Sequence, residues 1–361
     1  MANLNNITGA LLIDATAAFL NGAGLGSGED KNKVIPKTFR EKVNNRFEEV
    51  PYVSAQSWRR WLRNTTNEEN SWDPSELRGI KFNTKGSTSK IATELNPIEF
   101  PEDDLFGYMK SGGKEDNEEQ EDVIDENVKK TKGTKSESIQ RTSPFKSSIL
   151  KGILGMRTLN NDEAFVHLKE GTPLPYTTRF YSTHLEGFFN LEYYRLCRYD
   201  NLGSHQELSQ ELVQKHKDKF NENKLYNDKF KRYELKDAEI IRKKHASGLL
   251  KGLAFLRGGA KQAAFGADVS PKLLILAGME SANPVFNNLF VGTGEKPALN
   301  LSALKQIASD YKNKLATPIF IGIRDGYLEN ENEVKELGGG FIVDSPIGIV
   351  NQFNEKFLQY E

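Results

Sequence analysis

The sequence predicts an α+β fold in which strands and helices alternate as in a ferredoxin-like β-α-β-β-α-β unit. Two short apolar runs, ITGALLID at 7–14 and PKLLILA at 271–277, are typical of buried strands. An amphipathic helix at 54–63 follows the first run, and a second helix at 238–256 precedes the other. The 361 residues suffice for one large decorated domain or two ordinary ones.

Composition limits the class of protein. The chain has 49 Lys+Arg and 50 Asp+Glu residues, which excludes a uniformly basic nucleic-acid binder but permits a local basic patch. A single cysteine, Cys197, excludes an internal disulfide framework and a cysteine-rich zinc site. The start lacks a charged n-region, and Asp14 interrupts its apolar stretch, so we expect neither signal peptide nor membrane span, and a cytoplasmic protein.

A glycine-rich segment at 21–33 follows the first strand. Its glycines stand at 22, 24, 26 and 28, which is not the G-x-G-x-x-G spacing of a dinucleotide site. No apolar helix follows it either. We therefore predict a flexible connection that carries two cations, Lys31 and Lys33.

The helix at 54–63 is the first candidate site. Ser54 is a good N-cap, and Trp58, Trp61 and Leu62 fall on one face. Free amides at a helix start and arginine forks both bind phosphate, so the pattern indicates a phosphate-directed surface. Its predicted members are Ser54, Gln56, Arg59, Arg60 and Arg63. A solvated amphipathic helix is the alternative interpretation.

The middle of the chain, 64–140, is polar and lacks apolar periodicity. Its stretch 114–126 holds eight acids and one lysine, which predicts a solvated, mobile loop that does not touch a phosphate backbone. Order returns in RTSPFKSSILKGILG at 141–155, which carries Lys146. Residues 156–178 suit a protruding hairpin or loop, and 179–198 alternate like a strand.

The last third contains the second candidate site. Residues 201–236 are predicted to be a charged helical insertion, and the helix at 238–256 runs into a glycine loop. Two glycines allow close backbone approach and flanking cations suit a polyanion, although a helix C-cap would explain the same pattern. The predicted members are Arg257, Gly258, Gly259, Lys261 and Gln262.

The C-terminal elements and the absence of catalytic motifs complete the pattern. We predict a helix at 302–315, strands at 318–323 and 341–343, and a final helix capped by Ser345 with Pro346 in its first position. The five histidines show no metal-ligand spacing, and neither a G-x-S-x-G elbow nor a P-loop occurs. We therefore expect no catalysis, no cofactor and no metal.

Three segments carry a family resemblance. PYVSAQSWRRWLRN resembles the Ser-Gln-Ser-(apolar)-(Arg/Lys)-Arg segment of CRISPR Cascade backbone subunits, the Cas-seven superfamily. RGGAKQAAFGADVSPKLLILAG resembles that family's later Gly-Ala-Lys-Gln segment, and RTSPFKSSIL resembles the Ser-Pro segment of its DevR autoregulator branch. The three stand in the family's order and cover about half the chain.

The resemblance implies a right-hand architecture. The palm, a modified RNA-recognition-motif (RRM) fold, would comprise 1–63, 141–155 and 179–361. Helical fingers would comprise 64–140 and a thumb hairpin 156–178. Several copies would stack along a guide RNA, and each thumb would displace one nucleotide from pairing. The protein would read backbone shape while base pairing reads sequence.

The resemblance also implies function and partners. It implies a non-catalytic subunit of a type I Cascade in prokaryotic antiviral defence, which supports pairing with target DNA. The expected partners are guide RNA, target DNA, further copies of the chain and other Cascade subunits. Transposon-associated complexes use similar subunits. Two alternatives stay open: a type III-like subunit that cuts target RNA with Asp162 or Glu163, and a transcriptional autoregulator.

Overall fold

A computed structural model describes residues 2–25, 33–75, 93–110, 138–166, 170–172, 174–225, 227, 229–292 and 294–360. They divide into two compact units, the first built from Met1–Trp72, Phe145–Tyr194 and Arg242–Glu361, the second from Asp73–Pro144 and Arg195–Ile241. The predicted α+β class is confirmed. Residues 195–241, predicted as part of the palm, belong to the second of these units. Lys31 and the acidic run 114–126 lie outside the described residues.

The strands are β1 (Asn6–Ala18), β2 (Gly22–Leu25), β3 (Lys33–Pro36), β4 (Thr38–Val43), β5 (Arg46–Val53), β6 (Tyr108–Lys110), β7 (Ile139–Arg141), β8 (Phe145–Ser147), β9 (Leu150–Val166), β10 (Leu174–Leu191), β11 (Arg198–Leu202), β12 (His205–Gln206), β13 (Phe220–Lys224), β14 (Phe230–Leu235), β15 (Leu273–Met279), β16 (Phe290–Gly292), β17 (Pro297–Leu299), β18 (Ile319–Ile323) and β19 (Phe341–Asp344). The α-helices are α1 (Ala55–Asn70), α2 (Pro101–Phe106), α3 (Gln210–Lys215), α4 (Ala238–Ala254), α5 (Gln262–Phe265), α6 (Leu301–Asp310), α7 (Glu331–Lys335) and α8 (Pro346–Phe357). No described helix is long and apolar enough to cross a membrane.

The first unit is built on a sheet whose strands follow the order β19-β18-β15-β1-β10-β9-β5-β4. β1 lies in the middle and pairs antiparallel with β10 on one side and β15 on the other. Both predicted apolar runs are therefore central strands, and their side chains are buried on both faces. One face packs a cluster that includes Leu12, Ile275 and Leu304.

Helix α1 is longer than predicted. It begins where expected, after Ser54, but continues to Asn70 instead of ending at Arg63. Its second half buries Thr65, Thr66 and Asn67 rather than large apolar side chains. Gly252 of α4 makes this possible, because a Cβ there would lie 2.2 Å from Thr66 Oγ1. Because α1 and α4 approach closely here, this half of α1 is buried without large apolar side chains. Its sequence therefore lacks the apolar periodicity that would have predicted a helix.

The C-terminal helix α8 matches its prediction. Ser345 caps it by accepting a hydrogen bond from the Gly348 amide at 3.0 Å, and Pro346 occupies the first turn. Phe353 and Phe357 both pack against Phe320 of β18, with ring centroids 5.4 Å and 6.2 Å away. The aromatic stripe therefore fixes α8 on the sheet of the first unit.

The second unit corrects one prediction. Residues 201–236, expected to be helical, contribute mostly strands to a sheet in the order β13-β14-β11-β12-β7-β6. β14 buries Tyr233 and Leu235 and leaves the alternate charges at its surface, a two-residue period that the surrounding lysines obscured. Inside this unit the Arg141 guanidinium is fully buried between Asp104, at 2.6 Å, and Glu207, at 3.1 Å.

A long hairpin extends the sheet of the first unit. β9 and β10 pair antiparallel from Lys151 and Glu186 out to Val166 and Leu174. The hairpin predicted for 156–178 is therefore present in the described residues, as regular strands rather than an irregular loop. A second hairpin, β4–β5, was not predicted, since its residues alternate charge with few apolar side chains.

Candidate nucleic-acid interface

The start of α1 forms as predicted, and the Ser54 side chain is engaged in the N-terminal cap of the helix. The Ser54 hydroxyl accepts a hydrogen bond from the Ser57 amide at 3.3 Å and lies 2.9 Å from the Ser57 hydroxyl. The Ser54 amide donates to Asn21 Oδ1 at 3.0 Å, which ties the helix to the glycine-rich segment. Gln56 is exposed beside this cap. Ser54 therefore positions the helix start, and Gln56 remains the more accessible of the two polar side chains.

The predicted arginine face of α1 divides into two parts. Arg59 is half-buried, and its Nη1 donates to the Phe145 carbonyl at 2.6 Å. Burial lowers the pKa of its guanidinium, and the neighbouring Arg63 lowers that pKa further. Arg60 is exposed and Arg63 is half-buried. Arg59 thus holds α1 against another segment of its own chain, and phosphate binding by the three arginines stays a prediction.

That other segment is β8, which belongs to the motif RTSPFKSSIL. Trp58 Nε1 donates to the Ser148 carbonyl at 2.7 Å, and the Trp58 ring meets Phe145 edge-on at 5.9 Å. Lys146 points away from this core with its side chain 53% exposed and forms an ion pair with Glu192 at 2.5 Å. Packing of β8 thus brings the Lys146 ammonium to the surface beside the first turns of α1.

The glycine loop after α4 docks on the same helix. The Arg257 amide donates to Thr65 Oγ1 at 3.1 Å, and its guanidinium bridges Glu68 and Glu69 at 2.8 Å and 2.6 Å. Gly258 has a positive φ of 151°, and a Cβ there would lie 2.3 Å from Trp61 Cγ. The need for glycine at this position therefore arises from packing against α1, and Arg257 is already held by two carboxylates.

The far end of the loop presents Lys261. Its backbone is left-handed, with φ 51°, and its exposed side chain donates to Thr178 Oγ1 at 2.9 Å. Gly259, also at a positive φ of 110°, leaves no room for a Cβ against Leu20 Cδ2, 2.6 Å away. Gln262 Nε2 donates to the Gly258 carbonyl, which closes the loop. The side-chain amide of Gln262 is thus structural, whereas Lys261 is an exposed residue whose ammonium is held by Thr178.

Lys33 lies beside the same strand but on its other face. β3 pairs parallel with β10, which sets Lys33 opposite Thr177 and Val34 opposite Thr178. Consecutive strand residues point to opposite faces, so Lys33 shares the face of Thr177, whereas Lys261 contacts Thr178. The register therefore does not bring Lys33 and Lys261 to one surface.

The surroundings of Lys261 contain an aromatic cluster that the sequence did not reveal. Phe265 stacks on Phe19 and packs against Phe180, with centroids 6.4 Å and 5.7 Å apart. The Lys261 ammonium lies 5.4 Å from the Phe19 ring centroid. Phe19 directly follows β1, Phe180 lies in β10 and Phe265 in α5, so only the tertiary structure makes them neighbours. The Lys261 side chain therefore packs against this aromatic cluster through Phe19.

The three motif segments thus meet within the first unit. α1 contacts β8 through Trp58 and Arg59, and it contacts the glycine loop through Trp61 and Thr65. The predicted cations that these segments leave exposed or half-buried are Arg60, Arg63, Lys146 and Lys261, and Lys33 lies on the other face of β10 from the Lys261 contact. Such a spread of guanidinium and ammonium groups suits a polyanion held along its length rather than a small ligand.

The two acids of the alternative hypothesis are placed apart from each other. Asp162 and Glu163 are exposed on β9, opposite Thr178 and Thr177 of β10. Consecutive strand residues point to opposite faces, so the two carboxylates do not share one site. Asp162 lies on the same face as Thr178, the contact of Lys261.

Comparison with known proteins gives a fold but no sequence family. No family model and no curated protein matches the chain. A chain described as "CRISPR RNA-guided surveillance complex" aligns over 97% of this chain and 98% of its own length, with 12% identity and a TM-score of 0.48. A "Type IV-B CRISPR Complex" chain covers 82% and 96%, with 9% identity and a TM-score of 0.34. These two are too distant to carry an argument.

A third solved structure is more similar. It is described as "CRISPR RNA-guided surveillance complex, pre-nicking" and aligns over 97% of this chain and 99% of that one, with 12% identity and a TM-score of 0.50. The alignment spans both chains almost completely, so the similarity concerns the whole architecture rather than one sheet. The chain therefore shares its fold with a chain of an RNA-guided CRISPR surveillance complex.

Proposed function

We propose that the chain is a guide-RNA-binding backbone subunit of a type I CRISPR Cascade. One observation carries the proposal: the three segments that resemble the Cas-seven superfamily, far apart in sequence, pack against one another around α1. The shared fold with a surveillance-complex chain agrees with it. Guide RNA, target DNA, further copies of the chain and other Cascade subunits are the proposed partners.

In this proposal the first unit supplies the palm. Its strands β15-β1-β10-β9 have the first strand in the middle and antiparallel neighbours throughout, which agrees with a modified RRM. The β9–β10 hairpin is the proposed thumb, and the second unit is the proposed fingers. The cations around α1 and at Lys261 would contact guide phosphates, which position the RNA without reading its sequence.

The proposed subunit does not catalyse. Asp162 and Glu163 remain the residues through which a type III-like relative would cut target RNA, and because they lie on opposite faces of β9 only one of them could serve a given site. Metal-dependent cleavage of complementary RNA by the assembled complex, lost in the Asp162→Asn or Glu163→Gln variant, would establish the alternative. Binding to its own promoter DNA without guide RNA would instead indicate an autoregulator.

Guide loading tests the proposal directly. The chain is co-expressed with its neighbouring genes and purified, and the bound nucleic acid is extracted and sized. We expect a discrete guide-sized RNA with the wild-type chain and little with the triple variant Arg60→Ala, Lys146→Ala, Lys261→Ala. The matched control is Lys305→Ala with Lys312→Ala, two exposed lysines elsewhere in the first unit. Equal loading of both variants, or no discrete RNA with wild type, would refute the proposal.

A further inference from the structure

The β4–β5 hairpin carries an exposed aromatic side chain near its tip. Phe47 is 72% exposed, more than any other large apolar side chain among the described residues. Its cross-strand partner is Lys42, which is also exposed. The tip of this hairpin, residues 40–49, precedes the first motif segment, which begins at Pro51 near the end of β5.

The acids of the hairpin are all held by arginines of β9 and β10. Glu41 and Glu48 lie 2.9 Å and 3.7 Å from the Arg157 guanidinium, and Glu49 lies 2.9 Å from Arg179. The cations of the hairpin are Arg40, Lys42 and Arg46; all three are exposed, and within the described part of the chain none has an acidic partner in contact. The three acids are therefore neutralised by other strands, whereas the three cations of the hairpin face solvent.

The hairpin is rigid. Asn44 and Asn45 form its two-residue turn with left-handed φ values of 47° and 64°, the geometry that matches the twist of paired strands. Arg157, whose side chain is 6% exposed, also donates its Nε to the carbonyls of Gly152 and Ile153 at 2.9 Å and 3.0 Å. This anchor holds the hairpin to β9, so little order has to be gained when Phe47 binds a ligand.

The register places the ring and two cations on one face. Lys42 is opposite Phe47 and Arg40 is opposite Glu49, so Arg40, Lys42, Phe47 and Glu49 share a face. The Glu49 carboxylate on this face is bound by Arg179 at 2.9 Å, which leaves Arg40 and Lys42 as its exposed charges. We propose that this face binds single-stranded nucleic acid, with Phe47 stacked on an unpaired base and Arg40 and Lys42 on the flanking phosphates. The inference rests on the proposed function and adds a contact outside the interface around α1.

The chemistry favours a nucleic acid over a protein partner. A base offers a flat π-face directly beside an anionic backbone, which matches one ring flanked by two cations. A stable protein interface needs an extended apolar core, whereas this face offers a single ring. Stacking does not depend on base identity, so the contact is expected to be indifferent to guide sequence.

The test uses the full chain and two labelled probes, a guide-length single-stranded RNA and a single-stranded DNA. We expect Phe47→Ala to weaken binding of at least one probe between about fivefold and a hundredfold, the range for loss of one stacked base. The salt dependence should stay unchanged in Phe47→Ala. The Arg40→Ala, Lys42→Ala double variant should instead lower the slope by about two, because each phosphate contact contributes about one.

Conservative and control variants sharpen the result. Phe47→Tyr should retain binding, Phe47→Leu should not, and Tyr360→Ala, which removes another exposed aromatic, should have no effect. A probe with 2-aminopurine at successive positions should show fluorescence quenching that Phe47→Ala relieves. The probe that responds, RNA or DNA, identifies the bound strand.

The outcomes separate this inference from the proposed function. If wild type loads guide RNA while Phe47→Ala binds both probes normally, the inference fails and the proposed function stands. If wild type binds neither probe, both fail. If Phe47→Ala changes only the mass of the nucleic-acid-free protein in light scattering, the face is a protein contact and the inference is refuted.

Discussion

Replacing Arg59 of α1 should mainly lower stability, whereas replacing the adjacent Arg60 should mainly weaken RNA binding. Arg59→Ala removes the 2.6 Å hydrogen bond to the Phe145 carbonyl and a cation–π contact 5.8 Å from the Phe145 ring. A hydrogen bond to a charged group is worth about 1.5–3 kcal/mol and such a cation–π contact about 0.5–1 kcal/mol. Because Arg59 is only half-buried, we expect a destabilisation of about 2 kcal/mol. Arg60→Ala, at an exposed position, should cost less than about 0.5 kcal/mol.

Tryptophan fluorescence measures this difference in the relevant part of the molecule. All three tryptophans, Trp58, Trp61 and Trp72, belong to the first unit, so a urea transition followed by their emission reports that unit. We expect Arg59→Ala to lower the midpoint by roughly 1 M, given a dependence of about 2 kcal/mol per molar urea, and Arg60→Ala to leave it unchanged.

RNA binding should show the reverse order. Arg60→Ala should lower the slope of log affinity against log salt by about one, as expected for one lost phosphate contact. Arg59→Ala should leave that slope unchanged under conditions in which the variant is folded. Equal urea midpoints for the two variants would refute the different roles of Arg59 and Arg60. A lower salt slope of RNA binding in Arg59→Ala alone would refute them too.

The remaining predictions concern the glycine loop, the acidic run and one histidine. Lys261→Ala should weaken RNA binding about fivefold irrespective of guide sequence, since Lys261 is an exposed residue and phosphate contacts do not depend on the base. Unchanged binding at raised salt in a filter assay would make the loop purely structural. Deletion of 114–126, predicted from its sequence to be a solvated loop, should leave RNA binding intact, because removing such a loop has a small thermodynamic effect. Lost loading in a folded deletion variant would contradict this. Burial lowers the pKa of His184, which hydrogen-bonds Tyr327 at 2.7 Å. The unfolded chain therefore binds the proton more readily, and stability should fall as the pH drops below about 6.5. His184→Asn should reduce that fall in the tryptophan-monitored midpoint; an identical pH profile would exclude the histidine.

Local pattern determined several elements of this protein. The apolar runs that became β1 and β15, the Ser54 and Ser345 caps, and the amphipathic start of α1 follow from residue order alone, because caps and burial periodicity act within a few residues. The second half of α1 was not predictable, since its burial depends on glycines of α4 rather than on its own side chains. The strands at 201–236 were missed because abundant lysines obscured their alternation.

For the candidate interface too, local sequence determined the motifs and the tertiary structure determined their arrangement. The sequence by itself identified the cationic helix, the Lys146 segment and the glycine loop as three separate motifs, and it predicted their chemistry from residue type. Only the tertiary structure decided which cations face outward: Arg59 turns to Phe145 and Arg257 to Glu68 and Glu69, whereas Arg60 is exposed. Contacts such as that between Thr65 and Arg257 join residues 192 positions apart. Such pairings depend on how strands and helices pack, which no window of local sequence contains.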